Sequence, residues 1–382
     1  MNKNKISYVY ITDFPSLSRE AEHLLKEKAI AVDLESDSLF HYTEKVCLLQ
    51  ISTARRNLLI DPLAIKNLSP LEAVFSNRSI RKILHGSDYD IRSLHRDFGI
   101  EVSSLFDTQL AARILGSAET GLASLLKNHF NVELEKKYQK KDWSRRPLPD
   151  DMLVYGVYDT CYLIPLGRIL ERRLIEKGRY SWFEEECELL TRVRFAPASE
   201  DPLFIKFKGA NKFTPRELAI LEAILNIREK LAMEKDRPPF KVLSNDQILN
   251  IVQEKPKTLN GFKKLTEAQR KKMGQVILGG IEAALKIPET ELPGYPKPES
   301  KPVEHDYNRS IKLLKEWRNG AAEKFDLDPP LLCTNAQIQL LVQASPENVS
   351  RLRKLGILKK WQIKLCGREI CRLFREMGSS FP

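Results

Sequence analysis

Residues 29–40 read AIAVDLESDSLF, and the fold turns on how that stretch is taken. Ala29 to Val32 is an apolar, β-prone run, yet it leads directly into Asp33, Leu34 and Glu35, with Asp37 close behind. Residues i and i+2 of a strand point to one face. Asp33 and Glu35 therefore stand side by side while Leu34 turns to the core. Two carboxylates that close raise each other's pKa unless a cation lies between them. The alternative is a strand emerging into water with both side chains solvated. Other carboxylates in equally awkward places decide between the two.

Two further segments supply them. KILHGSDYDIRSLHRDFG (82–99) reads as strand, His-Gly turn and helix. Capping of the helix start accounts for Asp88. Asp90 lies two residues further in, ahead of Ile91, Leu94 and Phe98, and can face the sheet edge. PDDMLVYGVYDTCYLIPLGRILERRLIEK (149–177) reads as one long helix whose apolar surface is interrupted by Asp159, with Tyr155 one turn earlier on the same face. A buried Asp there is costly unless paired. Three segments thus offer Asp33, Glu35, Asp90 and Asp159. Four hard oxygen ligands with no His/Cys cluster select Mg²⁺ or Mn²⁺ over zinc. Two such ions about 4 Å apart serve in-line attack on a phosphodiester, and Tyr155 is placed to hold the attacking water.

Around these motifs, residues 1–195 alternate strand-like runs (8–11, 28–35, 46–52, 57–61 and 81–85) with helical spacing, predicting a mixed sheet with helices packed on it. A bridging helix near 181–195 follows, and after it no strand run is evident. Instead LSNDQILNIV (243–252) and CTNAQIQLLV (333–342) repeat at an offset of 90, with Arg228/Arg318 and Lys264–Leu265/Lys354–Leu355 at the same offset. Each copy reads as helix, Arg, acidic-Pro-Pro loop, Asn-capped helix and basic helices. The spacing predicts helical domains over 208–290 and 305–380, joined by a proline-rich linker over 291–304.

The chain has 382 residues, 42% hydrophobic, and a net charge of +11. Residues 1–200 hold 29 basic and 29 acidic side chains, so the whole excess lies in the second half. A basic half beside a neutral one points to a polyanion-gripping module, with a lysine-rich solvated surface as the alternative. No stretch approaches a membrane span and the N-terminus has no signal-like apolar region. The six cysteines form no CxxC pair, which fits a reducing compartment such as the cytoplasm.

VDLESDSL with YTEKVCLLQIS, ILHGSDYDIRSLHRDFG with LFDTQLAARIL, and YGVYD with the preceding KKDWSRRPLPDDML resemble the ribonuclease D family, in the tyrosine-bearing branch of the DEDD 3′-to-5′ exonucleases. The repeated halves resemble HRDC domains. The resemblance implies a ribonuclease H-like mixed-sheet domain followed by two small all-α HRDC-like domains. It implies that Asp33, Glu35, Asp90 and Asp159 bind two divalent ions, Mg²⁺ or Mn²⁺, and that Tyr155 orients the nucleophilic water. Glu35 would also touch the terminal 3′-hydroxyl, and nucleoside 5′-monophosphates would be released one at a time. The expected partner is RNA with a free 3′ end, such as tRNA precursors. No small-molecule cofactor and a monomer are expected. Leu34 stands where bacterial members often carry Thr; it faces away from the carboxylates. A 3′-to-5′ exonuclease acting mainly on DNA, or a non-catalytic nucleic-acid adaptor, are the competing readings.

The remaining candidates are weaker signals. Asp37 reads as solvated or turn-forming. His85 reads as a structural hydrogen-bonder that can line the pocket, and Asp107 as the N-cap of the next helix. Trp143, Arg145 and Arg146 read either as a surface that stacks on and clamps RNA or, for Trp143, as a loop anchor. RLRKLGILKKWQ (351–362) reads as a basic helix offering Arg351, Arg353, Lys354, Lys359 and Lys360 to phosphates.

Overall fold

The computed structural model describes residues 6–135, 137–196, 200–296 and 305–379. Six strands form one sheet: β1 (Val9–Ile11), β2 (Ala29–Ser36), β3 (Val46–Ser52), β4 (Asn57–Ile60), β5 (Arg81–Leu84) and β6 (Leu105–Asp107), in the spatial order β1-β4-β3-β2-β5-β6. β3 runs antiparallel to both its neighbours, while the β1–β4, β2–β5 and β5–β6 pairs are parallel. This is the mixed sheet that the close spacing of the second to fourth runs predicts, because short connections permit only antiparallel neighbours. β6 is not among the strand runs that the sequence predicts.

The helices that matter here are α1 (Phe14–Leu24), α2 (Asp88–Phe98), α3 (Thr108–Ile114), α4 (Leu122–Phe130), α5 (Asp150–Tyr158), α6 (Leu163–Glu176) and α7 (Tyr180–Leu190). The predicted single helix over 149–177 is therefore two, α5 and α6. Pro165 falls in the first turn of α6, where its missing N–H costs nothing. Leu34 joins the main core with Val32, Leu49 and Ile51. On the other face Cys47, Leu48, Leu59 and Trp143 pack against Met152, Leu153 and Val157 of α5.

The repeat builds α8 (Pro215–Glu234), α9 (Asn245–Glu254) and α10 (Gln275–Leu285), then α11 (His305–Lys324), α12 (Asn335–Ala344), α13 (Val349–Leu355) and α14 (Lys360–Ser379). The equivalent helices α9 and α12 start on equivalent capping boxes, Ser244 with Gln247 and Thr334 with Gln337. The repeated Asn is one residue inside the cap. Asn245 accepts from Arg228 and Asn335 from Arg318, each at 2.9 Å, so the repeated Arg and Asn form one conserved-geometry bond in both copies. The linker assigned to 291–304 lies outside the described residues from 297 onward.

Two compact units result. One holds the sheet and the second helical copy; the other holds the first copy together with residues 37–45. Within the first unit the second copy is held by α7. Trp182 stacks on Trp361 at 5.1 Å, Glu185 accepts from the backbone N–H groups of Lys360 and Trp361, and Glu186 accepts from Lys359 and Trp361. Among the described residues no helix is long and apolar enough to cross a membrane, and all six cysteines are free.

Candidate active site

β2 delivers the first pair. Asp33 lies opposite Gln50 and Glu35 opposite Leu48; directly after Glu35 the register slips, a bulge that bends the strand where its acidic end leaves the core. Asp90 is buried in the first turn of α2, an end at which the helix dipole favours an anion. The turn before α2 is fixed from β6. The buried Asp107 carboxylate accepts from the N–H groups of Gly86 and Ser87 and the Ser87 hydroxyl, and also caps α3 through Gln109 and Leu110. The cap was legible in sequence; the grip on the turn that presents Asp90 was not. Asp88 does not cap this helix. It is the first helical residue and pairs with Arg92 at 2.7 Å.

Asp159 is the C-cap residue of α5 rather than a mid-helix residue, and it is buried. Tyr155 stands one turn before it, fixed by ring contacts with Tyr138 at 5.7 Å and Trp143 at 6.1 Å. Asp33, Glu35, Tyr155 and Asp159 line one cavity of about 420 Å³, together with His85, Gln139 and the start of α4 from Leu122 to Ser124. Gln139 and the α4 wall were not anticipated; polar loops carry no signal that places them there. Asp90 is not part of that lining, but its charge is felt by Glu35.

The electrostatics of the four carboxyls agree. Burial pushes Asp33 up to about 7. Burial and then repulsion from Asp33, Asp159 and Asp90 hold Glu35 well above the ordinary carboxylate range. Asp90 is raised by burial, Asp33 and Asp107, and Asp159 by burial and Asp33, against a lowering hydrogen bond from Tyr155. No basic side chain is among the groups that shift any of the four. Tyr155 is raised by burial and by Asp159, Glu35 and Asp33, so its hydroxyl stays protonated at neutral pH. Among the described residues no three His, Cys, Asp or Glu side chains converge into a finished metal cage. The carboxyls are close enough to raise one another. As a donor set, all-oxygen and without a counter-charge, they fit hard divalent cations.

The other candidates part company. Asp37 is fully buried, not solvated; its carboxylate accepts from the Lys45 N–H at 2.8 Å and closes the loop that follows β2. His85 lines the cavity and bonds Thr108 at 2.9 Å. Trp143 is a buried anchor. The Arg146 guanidinium is bidentate to the buried Asp61 at 2.6 and 2.8 Å, while the residue as a whole stays exposed. The basic stretch 351–362 is two helices broken at Gly356, with φ +63°. Arg351, Arg353, Lys354 and Lys360 are exposed, whereas Lys359 is taken by Glu186.

A family model described as 3′-5′ exonuclease matches residues 8–175, and an HRDC domain model matches 217–281 and 308–373. Ribonuclease D of Haemophilus influenzae is 27% identical over 347 residues, 89% of this chain and 86% of that protein. Exosome complex exonuclease RRP6 of Saccharomyces cerevisiae is 34% identical over 275 residues, 68% of this chain but only 37% of that protein. The crystal structure of Escherichia coli RNase D superposes with a TM-score of 0.74 at 25% identity, covering 99% of this chain and 100% of that one. With both models in register with the sheet and with the two helical copies, the chain belongs to the ribonuclease D family of 3′-to-5′ exoribonucleases with tandem HRDC domains.

Proposed function

We propose that the protein trims the 3′ ends of tRNA precursors and other small structured RNAs by divalent-metal-dependent hydrolysis, one nucleoside 5′-monophosphate at a time. The observation that carries this reading is the gathering of four carboxyls from three segments, Asp90 and Asp159 buried and Asp33 and Glu35 half-buried, each raised by burial and none offset by a basic side chain. Asp33, Glu35, Asp90 and Asp159 would hold two divalent cations, Mg²⁺ or Mn²⁺. Such ions, when bound, lower the pKa of water and offset the charge that develops on the phosphate and the leaving oxygen.

The chain's own groups do the rest. The protonated Tyr155 hydroxyl orients the attacking water beside Asp159. Water adds to the last phosphorus, the bond to the 3′ oxygen of the preceding nucleotide breaks, and that oxygen takes up a proton. Glu35 accepts from the terminal 3′-hydroxyl and selects a free end. Arg351, Arg353, Lys354 and Lys360 give the second helical copy an exposed cationic surface for RNA phosphates. The description of the Escherichia coli relative as an exoribonuclease involved in structured RNA processing supports the choice of substrate. The same reading takes the protein as a cytoplasmic monomer.

Matched RNA and DNA oligonucleotides, incubated with Mg²⁺, Mn²⁺ or EDTA beside an Asp33→Asn variant, test it. RNA should shorten from its 3′ end only with metal and only in the unsubstituted protein. Degradation that survives chelation or the substitution sinks the metal mechanism, and a preference for DNA sinks the substrate. Tyr155→Phe should lose much of the rate and keep its response to metal.

A further inference from the structure

β3 is buried from end to end, and six of its seven residues have an ordinary account. Five are Val46, Cys47, Leu48, Leu49 and Ile51, which fill the two cores, and the sixth is Ser52, which bonds Asn57 and Thr160. Gln50 has none. It is fully buried, and neither its amide nitrogen nor its amide oxygen has a hydrogen-bond partner. A buried amide without a partner is destabilising, and an apolar side chain of the same length would fill this space without that cost. Stability therefore does not explain Gln50.

Its position does. Gln50 lies directly opposite Asp33 in the antiparallel pair, on the same face of the sheet. From there the side chain reaches α5. A Cβ on Gly156 would stand 3.2 Å from the Gln50 amide nitrogen and 3.4 Å from its Cγ. Gly156 follows Tyr155 and precedes Asp159 by less than one turn. The amide is thus held between the strand that carries Asp33 and the helix that carries Tyr155, with Asp159 at its end, packed closely enough that a side chain on residue 156 would press on it.

We infer that Gln50 is a positioning residue for the metal-binding carboxyls. It rests on the two-cation reading above. The amide N–H groups donate to the Asp33 and Asp159 carboxylates as these draw together on divalent cations, and so fix which oxygens face the metal. Donors behind ligating carboxylates have this effect on affinity elsewhere, commonly about tenfold to a hundredfold when removed. Gln50 acts through those carboxylates and does not touch the reacting atoms.

Gln50→Met, which keeps length and volume and removes the amide, tests the assignment in the full chain. Thermal melting is followed against Mn²⁺ concentration, with kcat and KM on an RNA oligonucleotide measured separately. Without metal the variant should melt no lower than the unsubstituted protein, because an unpartnered amide has been removed. The Mn²⁺ midpoint should rise about tenfold or more. At a fixed subsaturating Mn²⁺ concentration kcat should fall while KM for RNA stays put, and excess Mn²⁺ should restore part of kcat. Gln50→Asn, which keeps a shorter amide, should fall between the two. A metal-free variant that melts markedly lower would make Gln50 a structural residue and overturn the assignment. So would a Mn²⁺ midpoint within twofold of the unsubstituted protein. If the unsubstituted protein shows no divalent-dependent melting at all, the two-cation reading falls first and Gln50 with it.

Discussion

On sequence Arg146 reads as an RNA clamp; in the fold its guanidinium ties down the buried Asp61, and its substitution separates the two roles. Asp61 is 2% exposed and caps the short helix Pro62–Ile65. Its carboxylate takes Arg146 at two oxygens, the Tyr10 hydroxyl at 2.5 Å, and the N–H groups of Leu63 and Ala64. Arg146 also donates to the carbonyls of Cys47 and Trp143, each at 2.7 Å, which ties β3 to the loop before α5. Arg146→Met strands a buried carboxylate without its counter-charge and removes the donations to the Cys47, Trp143 and Arg145 carbonyls. Breaking a buried pair costs about 3–5 kcal/mol. The three donors left on Asp61 put this case at the lower end. For a cooperative unit of this size each kcal/mol moves Tm by roughly 2–4 °C, so a fall on the order of 6–12 °C is expected. RNA affinity measured well below that melting point should not change. The pH dependence carries a sign. Burial alone would raise the Asp61 carboxyl, but the Arg146 and Tyr10 hydrogen bonds and the Arg146 charge pull it below the usual range. A depressed folded pKa stabilises above the unfolded value, near 4, and that contribution is lost as pH falls through the folded pKa. The gap in Tm between the two proteins should therefore be widest near neutrality and narrow below about pH 4. An unchanged Tm together with weaker RNA binding and a shallower salt dependence would refute the structural role.

Three further outcomes follow from the same geometry. Asp33→Asn removes one of four mutually repelling charges; with its pKa raised to about 7, the metal-free parent loses stability as pH climbs from about 4 to 7, and the variant should lose less of it while no longer responding to Mn²⁺ in a melting assay. Gly156→Ala places a Cβ 3.2 Å from the Gln50 amide and 3.3 Å from Leu48, so these side chains must give by a few tenths of an ångström; about 1 kcal/mol of destabilisation and a drop in kcat should appear in denaturant titration and in turnover. Replacing both Arg353 and Lys354 by Ala should lower the slope of log affinity against log salt by roughly 1 per residue in RNA-binding titrations, whereas Lys359→Met, whose partner is Glu186, should leave that slope alone.

What the sequence disclosed and what it withheld divide along one line. Signals that act within a few residues were readable: the alternation of β2, the Y-x-x-x-D spacing, the capping residues of the repeat. β6 is three residues long, too short for strand alternation to show, so no window could isolate it. The split between α5 and α6 did leave a local mark in Pro165, which belongs in the first turn of a helix rather than deep within one. Roles set by distant partners left none. Arg146 meets Asp61 across 85 residues and Lys359 meets Glu186 across 173, and in both cases a side chain that reads as solvent-facing and cationic is tied to a buried carboxylate.

The helix boundaries also sharpen the chemistry of the site. Asp90 sits at the start of its helix, where the dipole supports a negative charge; Asp159 sits at the end of its helix, where the last carbonyls oppose one. Read as a mid-helix residue, Asp159 needed only a hydrogen-bond partner, and Tyr155 would have sufficed. As a buried C-cap carboxylate facing Asp33, it is held against both the dipole and a like charge, and one tyrosine hydroxyl cannot offset that. A cation shared with Asp33, as proposed above, would offset both. Between Asp90 and Asp159 the helix ends therefore set the difference, and substitution by Asn at Asp159 should raise the metal-free melting temperature further than the same change at Asp90.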